Sequence, residues 1–87
     1  MTYDPGLGDA WAGNLRIIDN CLLFIRTHQR VIADPNASFK DQTYARFMLP
    51  KHLVTYLGAL RRVSEYEQQM DAIGMEYARS SDDWRGL

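Results

Sequence analysis

Cys21 and His28, a thiol and an imidazole seven positions apart, are the side chains best suited to do chemistry in this chain. On a helix that spacing puts both on one face, two turns and about 10 Å apart, too far to share a metal ion. A thiolate–imidazole pair could be assembled only across two copies of the chain. No second Cys, CxxC or HxxxH accompanies them. Flanked by Ile17, Phe24 and Val31, the two read more simply as part of a core stripe, with Cys21 as packing and His28 as the stripe's polar end. His52, beside Lys51, reads as a surface residue. The segment GLGDAWAG has glycines at 6, 8 and 13 but lacks GK[ST] and a preceding strand, so it is not a phosphate loop. With no nucleophile–base pair and no carboxylate pair in an apolar setting, the expectation is a non-enzymatic protein without cofactor or metal.

The basic residues form a more coherent constellation. Arg26 and Arg30 are one helical turn apart, while Arg46 and Lys51 flank the corner Met48-Leu49-Pro50, with Tyr44 and His52 close in sequence. If the helices that carry them pack antiparallel, Arg26, Arg30, Tyr44, Arg46, Lys51 and His52 gather at one end. That corner would suit a phosphate, a nucleotide or an acidic protein surface. The plainer alternative is a set of solvated charges, some paired with Asp34 and Asp41. Arg61 and Arg62 are spaced to pair with Glu65. A further group, Met75, Asp82, Asp83 and Trp84, falls off the helical stripe and combines sulfur, aromatic and acidic character suited to a protein contact.

Nucleic acid is a poor candidate partner. The chain carries 10 basic and 11 acidic residues, a net charge of −1. Its acids concentrate after Val63, where a groove-reading helix would need Lys and Arg.

What must position these groups is a set of helices. From Ala10 to Ala33, Trp11, Leu15, Ile18, Leu22, Ile25 and Ile32 recur in steps of three and four, and the Cys21 stripe runs beside them. Together the stripes cover about half the circumference, more than the roughly 100° of a one-sided surface helix. Asp9 is the expected N-cap, and Asp34-Pro35-Asn36 the stop. Ser38, with Asp41 three residues on, predicts the start of a short connecting helix over Phe39 to Met48. Pro50 is read as ending it and opening a third helix, in which Leu53, Tyr56, Leu57, Leu60, Val63, Tyr66, Met70, Ile73 and Tyr77 keep helical period. The expected organisation is an irregular arm over 1–8, a helical domain over 9–79 and a polar tail over 80–87, with Tyr3 or Leu7 pinning the arm.

Eighty-seven residues bury only about 60–65% of their unfolded surface, so a small core needs support. One Cys excludes an internal disulfide, which leaves oligomerisation. The reading is therefore an all-α hairpin of two long helices with a short connecting helix, in a homodimeric bundle held through Trp11, Leu15, Ile18, Leu22 and Ile25. No apolar run reaches the ~20 residues of a membrane span. The acidic N-terminus is unlike a signal peptide, so the cytoplasm is the expected compartment. By analogy of size and class, such a chain would be an adaptor or an inhibitor of a larger complex, of the kind phages and mobile elements encode. A nucleotide-sequestering protein is the first alternative and a DNA-binding accessory the second.

Overall fold

The computed structural model describes residues 4–77, which form two antiparallel helices, α1 over Pro5–Ala33 and α2 over Phe39–Ala72. The expected hairpin is present, with no connecting helix. Tyr3, Asp82, Asp83 and Trp84 lie outside the described residues.

α1 begins well before Asp9. Asp4 is its N-cap, with Oδ1 accepting the Leu7 amide at 3.1 Å, and Pro5 occupies the first helical position, where a missing N–H leaves nothing unsatisfied. Gly6 and Gly8, which suggested an irregular arm, are helical residues, because this start signal outweighs their weak propensity. The other end follows expectation. Asp34 is extended (φ −83°, ψ 112°), as a residue before proline must be, and its Oδ1 accepts the Asn36 amide at 2.9 Å. Gln42 Nε2 donates to the Asp34 carbonyl at 2.8 Å and ties the turn to α2. Ser38 caps α2 by accepting the Asp41 amide at 3.0 Å.

Residues 39–48 are not a separate element. They are the first turns of a 34-residue helix that runs straight through Pro50. Proline removes the bond to the carbonyl of residue 46, which is tolerable here because Arg46 and Pro50 both face solvent and water can take that carbonyl. α2 also ends sooner than its apolar period. Gly74 (φ +69°) closes it, the Gly74 amide donating to Asp71 O at 3.1 Å and the Met75 amide to Met70 O at 2.9 Å. This is a Schellman motif with its usual apolar clasp, since Met70 and Met75 are both buried. Ile73 and Tyr77 are therefore past the helix. Met75, expected as an outward contact, folds back inside.

One layer of side chains holds the helices together. Ile18, Cys21, Leu22 and Ile25 of α1 interlock with Tyr56, Ala59 and Val63 of α2, flanked by Trp11, Leu15, Leu49 and Leu60. Of the five residues expected to meet a second copy, Ile18, Leu22 and Ile25 thus lie in this chain's own core, and Trp11 and Leu15 pack against it. The physical reason is simple: a two-helix hairpin has only one interface, and α1's richest stripe occupies it. Two polar clasps mark the rim. Arg62 Nε donates to Asn14 Oδ1 at 2.7 Å, and Trp11 Nε1 donates to Glu67 at 3.3 Å. Tyr77 covers Trp11 edge-on at 5.5 Å. The result is a rod of 55 × 19 × 15 Å with a radius of gyration of 16.5 Å, against roughly 12 Å for a compact chain of this length. Among the described residues, no helix is long and apolar enough to cross a membrane.

Candidate functional site

Two features stand out from this rod: a cleft at its turn end and an apolar stripe along the outer side of α2.

The cleft, of about 400 Å³, lies where α1 passes into α2 and is lined by Thr27, His28, Val31, Asp34, Ala37, Asp41, Tyr44 and Ala45. His28 and Ala45 are buried, Val31 and Ala37 half-buried, and Thr27, Asp34, Asp41 and Tyr44 exposed. Behind this cleft the rings are stacked in series. Phe24 lies on His52 at 5.0 Å, His52 on His28 at 5.1 Å, and Tyr44 meets His28 edge-on at 6.0 Å. His52 is thus half-buried between two rings, not the surface residue its neighbour Lys51 suggested. His28 is only 8% exposed, and its buried Nε2 has no hydrogen-bond partner. Leaving such an atom unpaired costs about 1–3 kcal/mol.

The basic corner does not assemble around this cleft. None of Arg26, Arg30, Arg46 or Lys51 lines it, and all four are exposed. Arg26 turns to the other flank, where its charge acts on Tyr56 and opposes the effect of burial, which pushes the Tyr56 phenol up. Lys51 Nζ sits 4.1 Å over the Phe47 ring. Only Tyr44 of the proposed anion ligands reaches the cleft lining, and it faces two carboxylates there. The polarity is the reverse of what an anion needs. Arg61 does pair with Glu65 at 3.1 Å, but Arg62 turns inward to Asn14.

Cys21 is buried beside Ile18, Leu22 and Ile25, and burial pushes its thiol up, so the nucleophilic thiolate is disfavoured. Among the described residues, no three His, Cys, Asp or Glu side chains are placed to hold a metal ion.

The stripe on α2 escaped the sequence reading. Phe47, Pro50, Val54 and Leu57 follow the 3–4–3 spacing of a coiled-coil seam, with Phe39 two turns upstream, and all point away from α1. Phe39 is 81% exposed, Val54 72%, and Phe47 and Leu57 61% each. The spacing was visible in the sequence, but reading Pro50 as a helix break divided the stripe between two elements. Comparison with protein-family models, with characterised proteins and with solved structures gives no match.

Proposed function

We propose that this chain is a protein-interaction module whose outer α2 face docks onto a second copy of itself. The observation that carries the reading is the exposed seam of Phe47, Pro50, Val54 and Leu57 on a hairpin too thin to cover it. Single exposed apolar residues are ordinary on a protein surface, whereas a contiguous periodic set marks an interface.

A second copy fits the seam by symmetry and charge. In an antiparallel pairing, Phe47 faces Leu57 of the second copy and Pro50 faces its Val54, so all four layers are apolar under one two-fold axis. The same register brings Lys40 opposite Ser64 and beside Glu65, one opposite-charge contact on each side of the axis. The product is a four-helix bundle with the two α2 helices at its centre, a different dimer from one built on α1. Its biological use would be that of an adaptor or an inhibitor, with exposed Ile17, Leu23 and Phe24 of α1 left outside the dimer.

Light scattering at about 100 μM tests the proposal. A mass of twice the 10.1 kDa chain is expected, falling to a single chain in Phe47→Lys and Leu57→Lys while helicity is retained. A single-chain mass for the parent would refute it.

A further inference from the structure

We infer that the groove between the helices on the Arg26 flank is the docking site for this chain's own segment 78–87, with the Trp84 indole as its anchor. Two matched stripes form the groove. Leu15, Leu22 and Arg26 follow each other on α1 in steps of seven and four, and Leu49, Leu53, Tyr56 and Leu60 on α2 in steps of four, three and four, so each set keeps to one side of its helix. The charge of Arg26 acting on Tyr56 puts both sets on the same flank, away from the ring stack of Phe24 and His52. Leu15, Leu49 and Leu60 are half-buried against the core and Leu53 is 38% exposed, which leaves a strip of aliphatic surface that neither helix covers.

The chain delivers the segment to the mouth of this groove. Glu67, two turns beyond Leu60 on the same stripe, accepts the Trp11 indole N–H at 3.3 Å, and Asp71, one turn further, accepts the Tyr77 hydroxyl at 3.1 Å while the Tyr77 ring meets Trp11 edge-on. Residue 78 therefore leaves Tyr77 at the end where Leu15 and Leu60 begin the strip. Trp84 lies seven positions past Tyr77, an extended reach of about 23 Å, and α1 rises about 22 Å from Trp11 to Arg26. Reach and groove match in length. Charge runs in the same order along both: laid on the strip, Arg79 falls at the acidic mouth formed by Glu67 and Asp71, and the pair Asp82-Asp83 falls near Arg26. Trp84 brings a large apolar ring with one N–H, suited to a half-wet aliphatic surface. Because the segment is tethered at the mouth, its effective concentration is high, and one aromatic anchor on a shallow strip suffices to hold it.

NMR of the intact, isotope-labelled chain tests the inference. NOEs from the Trp84 indole protons to the methyl groups of Leu53 and Leu60 are expected. Trp84→Ala, which alters no residue of either helix, should shift the amides of Leu15, Leu53 and Leu60 while leaving those of Val31 and Ala45, at the turn, in place. The double variant Asp82→Asn, Asp83→Asn should weaken the indole NOEs at least twofold. The same NOEs should persist in Phe47→Lys, where the α2 seam is disabled, so the docked segment and the dimer are decided separately. Absence of indole NOEs to either helix would overturn the inference, as would NOEs to Phe47 and Val54 in place of Leu53 and Leu60, or NOEs that cross between differently labelled chains.

Discussion

Arg62 Nε donates to Asn14 Oδ1 at 2.7 Å, joining the two helices across 48 residues of sequence. Asn14 is held for this role because its Nδ2 donates to the Ala10 carbonyl at 2.8 Å. A guanidinium can meet that amide in only one longitudinal alignment of the helices, so the contact fixes register where the apolar layer alone would allow sliding. Asn14→Ala should cost about 1 kcal/mol, and a double-mutant cycle with Arg62→Ala should give a coupling of about 0.5–1.5 kcal/mol. Thermal melts check it, with roughly 4–8 °C expected per kcal/mol in a chain of this size. Strict additivity would mean that the bond does not contribute.

Ala59 is wholly buried at the centre of the core layer, opposite the Ile18, Leu22 and Ile25 stripe. Its small side chain sets how closely the helices approach. Ala59→Leu should destabilise by about 1–3 kcal/mol through overpacking, although Leu offers more apolar surface to bury. Urea denaturation reads the change, and an unchanged midpoint would show that the layer has slack.

Pro50→Ala should raise stability by about 1–3 kcal/mol, since it restores an N–H to an exposed part of a continuous helix. The measurement should be made on the Phe47→Lys background, where the seam is already disabled. A lower melting temperature would indicate that the pyrrolidine ring itself contributes to the stability of the hairpin.

Gly74→Ala should destabilise by about 1 kcal/mol, because the residue holds φ +69° and no neighbouring atom opposes the added methyl. The cost is conformational, so Gly74→Asn should recover part of it. Equal melting temperatures for all three chains would contradict the Schellman assignment.

Burial raises both the Cys21 thiol and the Tyr56 phenol, so each stays protonated in the folded chain after it has ionised in the unfolded one. The folded state then binds more protons, and ∂ΔG/∂pH is negative. Stability is full below the unfolded thiol value of about 8.5 and falls as pH rises through the thiol and then the phenol range. Urea midpoints should decline from pH 8.5 upward, less steeply at first in Cys21→Ala. A midpoint that rises over this range would contradict the burial argument.

Much of the hairpin was legible because its signals are local. Asp34-Pro35 had to end α1, and Ser38 with Asp41 had to start α2, since both are decided within four residues. Pro50 misled for the same local reason: its preference for a helix start is real, but solvent on the same side lets a long helix absorb it. Which apolar stripe faces inward is not a local matter. Ile18, Leu22 and Ile25 satisfy either a dimer or a hairpin by spacing alone, and pairing with Ala59 and Val63 decides between them. The cleft was less legible still, because Asp34, Asp41 and His28 meet only through the turn geometry. Antiparallel packing of the helices suggested Arg26, Arg30, Tyr44, Arg46, Lys51 and His52 at this end of the molecule, and of these only Tyr44 lines the cleft.

The short turn at 34–38 has a mechanical consequence. α1 is entered and α2 is left at the same end of a 55 Å rod. Tension applied across those two points loads the core layers one after another, Val63 and Ala59 yielding before Tyr56, so the molecule unzips at low force. Pulled instead between the turn and either free end, the load would run along the backbone of one helix and bypass the contacts between the two.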